Sequence, residues 1–211
     1  MNFNFKRTLV LAPHTDDGEF GCGGTISRLC ESGSEVFYAA FSACRQSVLK
    51  EFPEDILITE VKAATRELGI PASNLILYDF EVRTFNFHRQ EILEEIIKLK
   101  NDIKPDLVFI PSINDIHQDH FIISNEGVRA FKLSTLLSYE LPWNNFSFTT
   151  SCFFKLSTSN IDAKLKALGC YKSQQHKPYA NDEFIKSLAR VRGVQIGSEY
   201  AEVFEVVRMV Y

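Results

Sequence analysis

The chain has no apolar stretch approaching the ~18 residues that a membrane-spanning helix requires. It has no CxxC pair either. Its five cysteines, Cys22, Cys30, Cys44, Cys152 and Cys170, are an odd number without metal-site spacing. That argues against a disulfide framework and for reduced thiols in a reducing compartment. A catalytic thiol would need a local base and a lowered pKa. Cys22 and Cys44, each near a predicted strand end, are better taken as core residues beside a site. Net charge is small, −4 over 211 residues, so no nucleic-acid or anionic membrane surface is expected. Linkers, repeats and low-complexity segments are missing as well. Met1 to Arg7 carries basic residues, but the apolar run that follows stops at Pro13-His14, too early for a signal peptide. The expectation is a cytoplasmic protein with one domain over residues 1–211.

What the chain does have is alternation. Apolar runs of strand length at Thr8–Ala12, Val36–Phe41, Leu75–Tyr78, Leu107–Ile110 and Leu136–Leu141 are separated by helical patterns over 17–32, 56–69, 83–102 and 119–131. Strand and helix in turn predict an α/β fold: a Rossmann-like, mainly parallel sheet with helices on both faces. The last third differs. A short strand at Cys152–Leu156, helices at Asn160–Tyr171 and Asp182–Arg190 and a strand at Glu202–Tyr211 form a C-terminal extension. It is expected on the sheet edge, walling one side of a site, with Asn160 or Asp162 capping its first helix.

Two polar clusters stand at strand ends. The first strand runs into Pro13-His14-Thr15-Asp16-Asp17-Gly18-Glu19, and Gly21, Gly23 and Gly24 follow. The G-x-G-x-x-G spacing of a dinucleotide fingerprint is absent, and two acids occupy the place of a pyrophosphate; negative charge there favours a cation. The glycines instead predict close backbone approach. The fourth strand ends in Asn114-Asp115-Ile116-His117-Gln118-Asp119-His120. Alone, either cluster is equally a helix N-cap or a polar loop. Together they suit the crevice where strand order reverses in an open α/β sheet. His14, Asp17 and His120 would supply two nitrogens and one oxygen to a divalent ion, leaving positions open as in catalytic zinc sites. Asp16 would stand beside the ion as a base for water, and His117, oriented and kept charged by Asp119, would stabilise an oxyanion or donate to a leaving amine. Such a set suits hydrolysis of an unactivated amide.

Pro13-His14-Thr15-Asp16-Asp17-Gly18-Glu19 resembles the (A/P)HPDDE signature of the LmbE-like, or PIG-L, family of zinc-dependent N-acetyl-sugar deacetylases. His117-Gln118-Asp119-His120 resembles that family's HPDH signature. Weaker echoes run along the chain: Gly21–Thr25, Arg66–Gly69, Lys104–Val108, Tyr171–Gln174 and Tyr200–Phe204. The resemblance implies hydrolysis of an N-acetyl group on a glucosamine-type sugar. Metal ligands fall on His14, Asp17 and His120, the base on Asp16, and the oxyanion-stabilising histidine and its acid partner on His117 and Asp119. Zinc is the implied ion, and ferrous iron accepts the same ligands. Thr15 and Gln118 replace the signature prolines, and Asp115 stands where some members carry a tyrosine. Arg45, after the second strand, is a candidate contact for a sugar hydroxyl or a phosphate. A small N-acetylated sugar is the expected partner, with self-association common among relatives. Two rival readings are an amidase for a non-sugar N-acyl molecule and a non-catalytic sugar-binding domain.

Overall fold

The computed structural model describes residues 5–210. Residues 1–4 of the basic N-terminal stretch, and the last residue of the predicted final strand, lie outside them. Seven strands form one sheet in the order β3-β2-β1-β4-β5-β7-β6. They are β1 (Arg7–His14), β2 (Glu35–Ser42), β3 (Leu75–Leu77), β4 (Leu107–Pro111), β5 (Thr135–Tyr139), β6 (Cys152–Leu156) and β7 (Tyr200–Arg208). The first five are parallel, and β7 pairs antiparallel with both β5 and β6. The C-terminal strands therefore extend the sheet itself. They stand at its edge, as expected from sequence, and do so by pairing, which satisfies the row of backbone groups that β5 would otherwise leave open.

Parallel strands are apolar on both faces because helices cover both. Val10, Ala12, Tyr38 and Phe109 point into one core, against α1 (Asp17–Glu31), α2 (Ile56–Glu67), α5 (Thr158–Gly169) and α6 (Asp182–Val194). Leu9, Leu11, Phe41, Val108 and Ile110 point into the other, against α3 (Arg89–Ile103) and α4 (Gln118–Ala130). Helix α5 starts earlier than expected. Ser157 caps it, accepting from the Asn160 N–H while the Asn160 side chain accepts from the Ser157 N–H. This reciprocal box satisfies two donors, where a cap at Asn160 or Asp162 would satisfy fewer.

Helix α1 is broken at Cys22, whose backbone (φ −145°, ψ 20°) leaves the helical region. The break frees N–H groups on one side and a carbonyl on the other. Glu202 accepts from the Gly24 and Thr25 N–H groups at 3.0 and 2.7 Å, and the Lys164 ammonium donates to the Phe20 carbonyl at 2.7 Å. Lys164 and Glu202 pair with each other at 2.6 Å. An anion thus meets a helix start and a cation a helix end, as the backbone dipoles require. Removing one partner of so buried a pair costs about 3–5 kcal/mol. The glycines permit close approach, as expected. A Cβ on Gly18 would lie 2.5 Å from the Tyr38 ring, and one on Gly21 would collide with the Tyr139 ring. The start of α1 is thereby pressed onto the sheet, which fixes where the residues just before it point.

Strand order reverses between β1 and β4. Both deliver their C-terminal ends to one crevice, β1 ending in His14 and β4 leading into the loop before α4.

Candidate active site

Three donor atoms converge in that crevice. His14 Nδ1 lies 3.0 Å from Asp17 Oδ2, His120 Nε2 lies 3.2 Å from the same oxygen, and the two nitrogens are 3.3 Å apart. A tetrahedral ion with bonds of about 2.0–2.1 Å places its ligands about 3.3–3.4 Å apart, so the triangle matches. The Asp17 oxygen is held in place by the His14 N–H at 2.8 Å. His117 also offers a ligand atom, within 4.8 Å of those of His14 and His120. Asp17 closes the triangle more tightly, and we take it as the third donor.

Each histidine of the triangle has a carboxylate behind it. His14 Nε2 meets Asp119 Oδ2 at 3.1 Å, and His120 Nδ1 meets Asp115 Oδ2 at 2.8 Å. A carboxylate on the outer nitrogen fixes the tautomer and leaves the inner lone pair free for a metal. Charge points the same way. Asp17, Asp115 and Asp119 are all buried, and Asp119 Oδ1 has no hydrogen-bond partner among the described residues. Three carboxylates against two neutral imidazoles leave a deficit that a divalent cation suits. Burial works against charging the rings, yet Asp17 and Asp119 raise His14 to about 10, and Asp17 and Asp115 raise His120 to about 9. Asp17 itself, despite burial, is held well below the usual carboxylate range by His120 and His14. The two protons stand in for the charge of an ion. The residues fit a divalent metal.

The structure corrects the expected pairing of Asp119 with His117. The Asp119 carboxylate turns to His14 and to the Arg83 N–H, at 2.7 Å. Its own N–H donates to His117 Nδ1 at 3.2 Å, because His117 is the N-cap of α4 and satisfies that free amide. Nδ1 is thus an acceptor, and the proton of the neutral ring sits on Nε2. Burial, helped by His120 and His14, lowers His117 to about 4. A charged His117 gives way to a neutral one whose Nε2–H is the donor.

Asp16 is buried at the cavity wall and meets the Lys177 ammonium at 3.5 Å. Burial opposes the charge on Lys177, but Asp16 more than offsets it and keeps the amine protonated. Glu19, wholly buried behind the motif, is bonded by the Tyr38 hydroxyl and, at 2.8 Å, by the Tyr171 hydroxyl. Burial raises its carboxyl to about 8. Both tyrosines also reach the Thr15 carbonyl, at 3.0 and 2.7 Å, which clamps the turn carrying Asp16. All five cysteines are free, and burial raises the Cys22 and Cys44 thiols, consistent with core residues.

The cavity above this centre has a volume of about 320 Å³, at the small end of the ~300–1,000 Å³ range of ligand sites. Arg45 is not in its wall. Cys44, in a left-handed conformation (φ 50°), turns the chain, and the Arg45 side chain goes to Asp79 at 3.2 Å. Arg83, from the loop after β3, lines the cavity in its place. An aromatic wall was also not foreseen: Trp143 and Tyr179 stack at 3.8 Å and 5°, with the Phe20 ring edge-on to both at 5.4 Å. Of the residues missed, Asp115 alone gave a signal, as an acid two positions before His117.

The fold and site define an α/β protein with a paired histidine–carboxylate centre at a strand-order switch. It belongs to the PIG-L family, described as GlcNAc-PI de-N-acetylase, which it matches over residues 9–131. Among characterised sequences it is similar to the diacetylchitobiose deacetylase of Thermococcus kodakarensis, 24% identical over 93% of this chain and 81% of that one. Among solved structures, the conserved protein TT1542 of Thermus thermophilus is 27% identical with a TM-score of 0.80, covering 97% of this chain and 96% of that one. GalB, the 4-carboxy-2-hydroxymuconate hydratase of Pseudomonas putida, also superposes with a TM-score of 0.80, at 20% identity and over 98% of each chain. At that identity the likeness is one of fold. No helix among the described residues is long and apolar enough to cross a membrane.

Proposed function

We propose that this protein is a metal-dependent N-deacetylase that releases acetate from an N-acetylated amino sugar of the glucosamine type. The observation that carries the reading is the triangle of His14, Asp17 and His120 donors, each histidine backed by its own carboxylate. A divalent ion held there, zinc or ferrous iron, would polarise the amide carbonyl and acidify water. The rest of the chemistry belongs to side chains. Asp16, which faces the cavity and whose carboxylate meets Lys177 at 3.5 Å, accepts the proton of the attacking water. The same carboxyl then delivers that proton to the departing amine. His117 Nε2–H donates to the carbonyl oxygen as negative charge builds on it, and Asp119 acts on the outer nitrogen of His14. The Trp143–Tyr179 wall gives the apolar face of a sugar ring a surface to rest on.

The family and the deacetylase relative favour a sugar amide over the two rivals, an amide on a non-sugar molecule and binding without turnover. The fold does not choose, since a hydratase shares it. Acetate release should be measured on N-acetylglucosamine, its oligomers and glycosides, beside non-sugar N-acyl amines. Release from the sugars, abolished by a chelator and restored by added metal, is expected. Turnover indifferent to chelation, or confined to the non-sugar amides, would sink the reading.

A further inference from the structure

We propose that His176 accepts a hydrogen bond from a hydroxyl of the sugar, and that Glu60 is the positioning residue that holds it ready. The proposal rests on the amino-sugar reading and adds a recognition contact to it. His176 lines the cavity, and its Nδ1 meets the Ser173 carbonyl at 3.0 Å. A carbonyl oxygen can only accept, so Nδ1 carries the proton. In the neutral ring the lone pair is then on Nε2, which has no partner among the described residues. The other charged and imidazole side chains of the wall do different work. His14, Asp16, Asp17 and His120 are committed to the centre, while Arg83, Lys177 and His117 present donors. Among these groups His176 is the one that offers an acceptor to the rest of a substrate, and a sugar hydroxyl brings the matching donor.

The orientation of the ring is imposed from helix α2. Glu60 is buried, and among the described residues no cation pairs with its carboxyl. It accepts twice from one residue far along the chain, from the Ser173 N–H at 2.9 Å and the Ser173 hydroxyl at 2.6 Å. Ser173 Oγ accepts in turn from Gln174 Nε2 at 2.9 Å. Every polar group of Ser173 is thereby engaged, which fixes the direction of its carbonyl and with it the tautomer of His176. The segment is tied on both sides as well, by Tyr171 to the Thr15 carbonyl at 2.7 Å and by Lys177 to Asp16 at 3.5 Å. A buried acid without a cation is costly unless its bonds are good. Here both bonds go to the residue that aims the imidazole.

Binding of the deacetylated products tests the idea without turnover. Calorimetry would compare glucosamine with its 3-deoxy, 4-deoxy and 6-deoxy forms on the metal-loaded wild type, His176→Ala, Glu60→Gln and Glu60→Ala. One deoxy sugar should bind the wild type about five- to tenfold more weakly than glucosamine, the worth of one hydrogen bond. On His176→Ala, at an exposed position, glucosamine itself should lose that factor and the deoxy sugar should lose nothing more. Glu60→Ala should reproduce the pattern, and Glu60→Gln, which keeps one acceptor oxygen, should retain part of the preference. Nitrogen-15 NMR of the imidazoles should show the His176 proton on Nδ1 in the wild type and a tautomer mixture in Glu60→Ala or, if that variant does not fold, in Glu60→Gln. Equal binding of all four sugars by the wild type, a deoxy penalty that survives in His176→Ala, or a wild-type proton on Nε2 would overturn the proposal. A Glu60 effect spread evenly over all four sugars, as a merely structural role gives, would overturn the part of Glu60. Acetate assays on the matching N-acetyl sugars separate the two readings. If no sugar is hydrolysed but the deoxy pattern holds, the deacetylase reading fails alone; if sugars are hydrolysed and the pattern is absent, the His176 contact fails alone.

Discussion

Replacing Asp115 with asparagine changes little in volume but removes the charge behind His120. Asp115 Oδ2 accepts from His120 Nδ1 at 2.8 Å, and Oδ1 accepts from the His117 N–H at 2.8 Å. An asparagine has one acceptor oxygen for these two donors. If that oxygen stays on the His117 N–H, the amide NH₂ faces His120 Nδ1 and drives the ring proton to Nε2. That is the nitrogen in the donor triangle, 3.2 Å from Asp17 and 3.3 Å from His14. If the amide turns over, the His117 N–H loses its acceptor, at about 1–3 kcal/mol for a buried group. Either way the ligand set is compromised. Loss of such an outer carboxylate typically lowers metal affinity about 10–100-fold, equal to about 1.4–2.7 kcal/mol. Competition against a fluorescent chelator would measure the affinity, with near-UV circular dichroism as a check on folding. A folded Asp115→Asn protein that binds zinc within about twofold of wild type would refute the assignment of Asp115 as the residue orienting His120.

Asp16→Asn should leave metal content near normal while cutting acetate release by orders of magnitude, read by elemental analysis beside kcat. Asp16 lies outside the donor triangle, so loss of the ion in that variant would move Asp16 into the ligand set. Glu19 gives a stability prediction for the metal-free protein. Its carboxyl is raised by burial to about 8, so the folded state holds a proton that the unfolded chain releases above the ordinary glutamate range. Stability from this group is full at low pH and declines as pH rises towards 8, with a slope of up to about 1.4 kcal/mol per pH unit. Glu19→Gln, which keeps the amide hydrogens a protonated acid would mimic, should gain on wild type over that window in urea melts. A pH-independent difference between the two proteins would show that Glu19 is ionised when buried.

The sheet was legible because its strands are covered on both sides. Runs such as Leu9–Ala12 and Leu107–Ile110 carry no polar residue and are bounded by turn signals, which leaves few alternatives to a buried parallel strand. The centre was legible for a related reason: His14 ends β1, Asp17 opens the helix that follows it, and His120 lies in the first turn of the helix after β4, so adjacent strand ends bring them together. What escaped depends on side-chain direction. Asp119 stands between His117 and His120, and nothing in residue order says that its carboxylate turns towards His14, 105 positions away. His117 became a helix cap, and the free amide of α4 fixed its tautomer before any catalytic demand did.

The exchange of Arg45 for Arg83 makes the limit sharper. Both arginines follow strands on the same sheet edge, and both come directly after, or occupy, a left-handed residue. Which guanidinium enters the cavity is decided by partners remote in sequence: Asp79 draws Arg45 away, while Gln118 and Asp119 hold the Arg83 backbone at the rim. The donor triangle can be found from motif spacing because the fold needs only to bring two strand ends together. The residues that choose the substrate sit on loops whose conformation is set by contacts across the site. That separation explains how one fold accommodates a deacetylase and a hydratase. Substrate identity in this chain therefore has to be sought at Arg83, His176, Lys177, Trp143 and Tyr179, around the centre that the two signatures build.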